Sequence, residues 1–437
     1  MKNFTNLLGK DGTIDLLAYL RINPGITIAI INTHFTKSGH KSLTTATIYR
    51  RVKELEQLNL ITRLPTNSER FILTLSAEEI LKRNKRWKKV KFQTLIQDLG
   101  SYFDIGTPVV QDKFAVYPLI KTEVALTVLG LLEAEEQELA WIQESEGSES
   151  VEILEAINKS KNPVLIPYLH QVEGGKQDRT IFEPILIPIG HNESNPLKIP
   201  AKCIEQSRWR YSSSRGVTTS LKFKSAKTRM APQMANVSAK AGDQSTVWES
   251  VYASMGAYQL AAEDAPTSSF REIQEKSYEI DEDLKNLQEA LAAGIKLENQ
   301  VGLICAYGDK LLAVEIYGSP KLWNQFSEVV LKGFLTDRVF MQKVETDQKL
   351  PDNLEKILQD EFKDLKVNKD NATGTGDLFR FNSKKWQGIS LNYQGHPIHL
   401  YATKEQVDIL KGRKVYRAPG IPQMQVQSIQ DPKFSRR

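Results

Sequence analysis

Thr47-Ile48-Tyr49-Arg50-Arg51-Val52-Lys53-Glu54-Leu55-Glu56-Gln57-Leu58-Asn59-Leu60-Ile61-Thr62-Arg63 changes its periodicity once, and that change decides how the N-terminal part of the chain is read. Ile48, Val52, Leu55 and Leu58 recur at helical spacing and share one side, with Leu60 closing the apolar run. The opposite side carries Thr45, Thr47, Tyr49, Arg50 and Lys53. From Ile61 the alternation is that of a strand. After the turn cluster Pro65-Thr66-Asn67-Ser68 it resumes in Phe71-Ile72-Leu73-Thr74-Leu75, so a hairpin directly follows a helix.

Upstream, Thr13 is positioned to cap a helix whose apolar face is Ile14, Leu16, Leu17, Leu20 and Ile22, and Asn23-Pro24-Gly25 ends it. Ile26, Ile28, Ile30, Ile31 and Phe35 read as a second short helix, and the polar turn Ser38–Ser42 leads to the third. The order helix, helix, helix, hairpin resembles archaeal and bacterial winged helix-turn-helix regulators, and the run Thr47–Arg63 is similar to their recognition helix and first wing strand. The resemblance implies double-stranded DNA as partner, bound as a homodimer on two-fold sites. Thr44, Thr45 and Thr47 would lie at the helix start, where hydroxyls and the helix N-terminus suit a phosphate. Tyr49, Arg50, Arg51 and Lys53 would face bases or backbone, and Arg63 and Arg70 would lie on the wing. The charge agrees: residues 1–91 hold 17 Lys and Arg against 7 Asp and Glu, although the whole chain is only +5. A protein–protein role for the module is the alternative.

Lys82–Lys91 has seven basic residues in ten, behind the acidic helix start Ser76-Ala77-Glu78-Glu79. It reads equally as a phosphate clamp or as a solvated linker helix. The expected organisation is residues 1–80 as the winged module, 81–104 as a basic linker helix, 105–405 as one large domain and 406–437 as a tail. A hydrophobic content of 40% is enough for a real core, and no run approaches a membrane-spanning length. Two cysteines, Cys203 and Cys305, make no disulfide framework and fit a reducing cytoplasm.

Beyond Ile105, short apolar strands alternate with turns: Ala115–Ile120, Ser150–Leu154, Val164–Ile166, Phe182–Pro188 and Ile199–Ile204. Gly302–Tyr307 and Leu311–Tyr317 flank Gly308-Asp309-Lys310, and Gly388–Tyr393 and Pro397–Tyr401 flank Gln394-Gly395-His396, giving two hairpins. Helical periodicity covers 246–262, 268–293, 319–334 and 352–365. The fold class is α+β, a winged helix-turn-helix followed by a large mixed, mainly antiparallel domain.

Four ordered segments carry a second resemblance: Gly174-Gly175-Lys176-Gln177-Asp178-Arg179, Cys203-Ile204-Glu205-Gln206-Ser207-Arg208-Trp209, Asp243-Gln244-Ser245-Thr246-Val247-Trp248, and Gly302–Phe334. Together they resemble the ADP-ribosylglycohydrolase-and-rhodanese-phosphatase-associated protein domain family, which implies a tie to NAD or ADP-ribose metabolism without an established reaction. The family's acidic stretch before the Gly-Gly-Lys-Gln part is replaced here by Tyr168-Leu169-His170-Gln171. The remaining polar set is Lys176, Gln177, Arg179, Glu205, Gln206, Arg208 and Gln244, which suits a small anionic, nucleotide-like ligand held without cleavage. A buried structural network of the same residues weighs about equally, and Trp209 and Trp248 read as core. The expectation is a DNA-binding regulator with a fused sensor or scaffold. An enzyme of NAD or ADP-ribose metabolism, or a protein-assembly module, are the rivals.

Arg208–Lys240 has no acidic residue and reads as a long flexible basic loop. His396 and His399 point to opposite faces of one strand and make a poor chelate. Thr373-Gly374-Thr375-Gly376-Asp377 lacks the following helix of a phosphate loop. No Ser, Cys or His triad, metal site or cofactor motif is readable.

Overall fold

A computed structural model describes residues 16, 20, 26–37, 44–57, 61–64, 67–73, 102–121, 127–145, 152–205, 222–347, 350, 354–394 and 396–411. The basic segment 82–91 and the tail beyond 411 lie outside the described residues, as do Gln206, Arg208 and Trp209.

The N-terminal elements are β1 (Ile26–Thr27), α1 (Ile28–Lys37), α2 (Thr45–Gln57), β2 (Ile61–Leu64) and β3 (Asn67–Leu73). The strands form a sheet of order β1-β3-β2, with Ile26 opposite Phe71 and Ile61 opposite Leu73. Leu16, Leu20, Ile31, Phe35, Ile48, Val52, Leu55 and Ile61 are buried, which bears out the apolar face read from spacing. One boundary is corrected. Ile26 does not open the second helix; it pairs with the hairpin as an extended residue, and Ile30 is 50% exposed. β-Branched residues serve either state, and only the pairing partner decides between them.

The chain divides into two compact units, Met1–Leu129 with Ala290–Glu328 and Thr346–Ala402, and Gly130–Glu289 with Val329–Glu345 and Thr403–Arg437. Residues 105–405 contribute to both units. The first unit begins its large sheet with β4 (Asp104–Ile105), β5 (Val109–Gln111) and β6 (Phe114–Ile120).

The second unit opens with β7 (Leu129–Gly130), α3 (Leu131–Glu136), β8 (Ala140–Glu144), β9 (Ile153–Asn158), β10 (Val164–Ile166), β11 (His170–Glu173), β12 (Arg179–Thr180), β13 (Ile185–Ile187), β14 (Leu197–Pro200), β15 (Lys202–Cys203) and β16 (Lys224–Arg229). The helices α4 (Pro232–Ala241), α5 (Gln244–Ala257), α6 (Phe270–Ile280) and α7 (Glu282–Leu291) follow. The strands make small antiparallel sheets, β13-β10-β7, β14-β9-β8 and β15-β12-β11-β16. Two expectations change. The helix read over 268–293 breaks at Asp281, whose carboxylate accepts from Leu284 N and caps the second half. The supposed flexible loop contains β16 and α4 in its described part. Few apolar residues mark β16, because backbone pairing with β11 and the side chain of Gln274 hold it: Arg229 N donates to Gln274 Oε1 at 3.0 Å, and Gln274 Nε2 donates back to Arg229 O at 2.9 Å.

The chain then resumes the first unit's sheet with β17 (Gln300–Tyr307) and β18 (Lys310–Tyr317). It continues through α8 (Pro320–Thr336), α9 (Arg338–Met341) and α10 (Leu354–Phe362) to β19 (Lys366–Asp370), β20 (Asp377–Asn382), β21 (Trp386–Tyr393) and β22 (His396–Lys404). The order is β19-β20-β21-β22-β18-β17-β6-β4, with β5 on β6. Both expected hairpins are present. Ile304, Val314 and Ile316 pack with Leu358 and Phe362 of α10. Tyr317 instead stacks on Phe326 and meets Trp323 at a tilt at the start of α8. Cover on both faces explains why β17 is buried at every residue and lacks the alternation of a half-solvated strand. Thr373–Asp377 runs into β20 and not into a helix. Among the described residues no helix is long and apolar enough to cross a membrane.

Candidate functional site

The first site is the outer face of α2. Thr44 caps the helix: its carbonyl accepts from Ile48 N at 2.9 Å, and its hydroxyl lies 3.0 Å from that of Thr47. Thr44, Thr45, Tyr49, Arg50 and Lys53 are exposed and Thr47 is half-buried, so the polar side read from the sequence faces solvent. Arg51 departs from the expectation. It is buried, and its Nη1 donates to Glu54 Oε2 at 2.7 Å, so it belongs to the helix's inner support and not to the outer face. The spacing gave the correct side for Ile48, Val52 and Leu55. Arg51 lies at the edge of that stripe, where a long side chain can turn inward. Arg63 lies on β2 and Arg70 on β3, opposite Thr27; their side chains lie outside the described residues.

The second site is built around β12 and β15. Gly174 has φ +105°, and a Cβ on Gly175 would lie 2.1 Å from the Phe223 ring, so both glycines serve the turn and its packing. Lys176, half-buried, donates its backbone N–H to Glu144 Oε1 at 2.7 Å. Gln177 Nε2 donates to Glu205 O at 2.8 Å, and Glu205 Oε2 accepts from Asp178 N at 2.9 Å. Asp178 Oδ2 accepts from Ser269 Oγ and from Arg271 Nε at 3.1 Å. The Gln244 amide clamps Cys203, accepting from its N–H at 2.8 Å and donating to its carbonyl at 2.7 Å. Four of the expected ligand residues, Gln177, Arg179, Glu205 and Gln244, therefore meet in one region, and most of their polar atoms are satisfied by the protein's own backbone.

Arg179 differs. It is 1% exposed, yet among the described residues its guanidinium meets a single acceptor, the Asp178 carbonyl at 3.4 Å, and its Nε has none. A buried cation is ordinarily paired. The facing Cys203 is in no disulfide and its Sγ donates to Glu205 O at 2.9 Å; burial pushes the thiol up to about 11 against the opposing pull of Arg179, so it is not a thiolate at neutral pH. Cys305 is also buried and in no disulfide. Trp248, expected in the core, is half-buried.

The sequence reading missed two clusters. In the first unit, Glu315 and His399 are both fully buried; Glu315 Oε1 accepts from Tyr317 OH at 2.9 Å and lies 3.9 Å from His399 Nε2. In the second, Glu135, His170 and Ser225 converge from α3, β11 and β16. Their separations along the chain follow no motif spacing. His396 is half-buried at the start of β22 and His399 is fully buried within it. No group of three His, Cys, Asp or Glu side chains among the described residues has a metal-holding arrangement.

No curated protein and no solved structure matches the chain. Residues 102–403, which contain both missed clusters and the network around Arg179, match the family described as the ARG and Rhodanese-Phosphatase-superfamily-associated Protein domain, and the chain belongs to that family.

Proposed function

We propose that the chain is a DNA-binding regulator whose N-terminal part is a winged helix-turn-helix, with α2 as the reading helix and β2–β3 as the wing, acting as a homodimer. One observation carries this reading. The solvent face of α2 presents Thr45, Tyr49, Arg50 and Lys53, whereas its two acids, Glu54 and Glu56, are only half-exposed and Glu54 is paired with Arg51. A helix fits the major groove and a cationic face without competing carboxylates suits phosphates and guanine edges. Arg51, paired within the helix, is not among the contacts.

The test is retention of random-sequence duplex DNA by the full chain over a salt series, followed by sequencing of the retained fraction. Enrichment of a two-fold sequence is expected. Arg50→Ala with Lys53→Ala should lower the slope of log affinity against log salt by about 2, one for each lost phosphate contact. Unchanged affinity and slope in the double variant would remove the assignment.

A second reading, a bound anion in the family domain, is favoured by Arg179, a buried cation short of acceptors. A phosphate of an ADP-ribose-like molecule would supply them. With ADP-ribose as the probe, the unfolding temperature should rise in the wild-type chain and not in Arg179→Gln. Equal shifts in both would sink this reading, and conversion of the probe would replace sensing with catalysis.

A further inference from the structure

The strand pair β11–β16 carries a register shift at one place, between His170↔Arg229 and Val172↔Ser225. Immediately before it, Leu169 adopts φ +62°, a left-handed backbone that a bulky residue rarely takes. A bulge bends a strand and re-aims a side chain. The extra residues lie on β16, where four steps from Ser225 to Arg229 oppose two from His170 to Val172, and His170 Nε2 on β11 lies 2.7 Å from Ser225 Oγ on this edge strand. From α3, Glu135 Oε2 accepts from Ser225 N at 3.3 Å, and its other oxygen is buried with no hydrogen-bond partner among the described residues. His170 is buried, whereas Ser225 is half-buried on the outermost strand of its sheet.

We propose that Ser225 is a nucleophile towards acyl esters, with His170 Nε2 as its proton acceptor and Glu135 as the group that fixes the serine's backbone. Ser225 Oγ attacks the acyl carbon, and the Oγ–C bond forms as the hydroxyl proton passes to Nε2. The carbonyl electron pair, held on oxygen in the tetrahedral species, returns as the bond to the alcohol breaks, and Nε2 gives its proton to the departing oxygen. Water then repeats the sequence in place of the alcohol and frees the serine. Burial, with the Arg229 charge adding to it, lowers His170 to about 3, so the ring is neutral at physiological pH, and in its Nδ1-protonated tautomer Nε2 accepts from the Ser225 hydroxyl. The same environment disfavours the imidazolium and so slows the proton transfer to Nε2 in both the acylation and the hydrolysis step. Burial also raises Glu135 to about 7, so near neutrality part of the population holds a carboxylate beside Ser225 that offsets the charge formed on His170.

The experiment uses the full chain and a biotinylated alkyl fluorophosphonate, whose fluoride leaves as Oγ bonds to phosphorus. Peptide mapping should place the adduct on Ser225. Ser225→Ala should lose it, and His170→Asn should slow it at least tenfold, within the usual contribution of a general base. The proposal is overturned if Ser225 carries no adduct under conditions that fully label a known serine hydrolase. It is equally overturned if folded His170→Asn reacts at the wild-type rate. Should that variant not fold, the site of the adduct in the wild-type chain, with Ser225→Ala as control, decides alone.

Discussion

The outer face of α2 and the network around β12 and β15 use similar residue types in opposite ways. On α2, Arg50 and Lys53 stand in solvent, where their charge is cheap to keep and available to a partner. Around β12, Gln177, Asp178 and Glu205 are withdrawn from water, and each must find an acceptor or donor inside the protein. Polar residues therefore do not mark a binding site by type alone. What distinguishes the two regions is whether their hydrogen-bonding capacity is already occupied. Arg179 matters because it is a buried cation of the second region that keeps unused capacity.

The hardest way to break this comparison is Asp178→Ala. It removes the acceptor for Ser269 and one carboxylate partner of Arg271 in a buried setting. A loss of about 3–4 kcal/mol in unfolding free energy is expected, measured by urea titration of tryptophan fluorescence. A loss below about 1 kcal/mol would mean that the network is incidental.

Glu135 tests the same principle through pH. Its folded pKa is raised from 4.5 to about 7, so between these values the folded chain keeps a proton that the unfolded chain has released. Stability conferred by that proton is complete below pH 4.5 and is lost as pH rises through 7. Glu135→Gln should flatten this part of the profile by on the order of 2 kcal/mol relative to wild type. The opposite trend from His170, lowered to about 3, stays in both proteins and cancels in the difference. Parallel profiles would contradict the buried carboxyl.

Gln244→Ala, which removes both bonds of the clamp on Cys203, should cost about 1–2 kcal/mol in the same titration. Gln244→Glu should recover only the bond from Cys203 N. At the far end, Arg50→Ala with Lys53→Ala should alter stability by no more than about 0.5 kcal/mol while changing DNA retention. A large destabilisation there would show that the α2 face is structural and erase the contrast.

Local pattern determined several features without help: the helical stripe of Ile48, Val52 and Leu55, and the β17–β18 and β21–β22 hairpins. In each, the interacting residues lie within a few turns or one hairpin of each other, so spacing encodes the geometry. Ser225 with His170, Arg51 with its inward turn, the strand β16 and the division into two units were decided only by tertiary structure. Backbone pairing, burial on both sheet faces and a bulge bring distant residues together, and no periodicity in the chain records which distant residue fills the other half of such a contact.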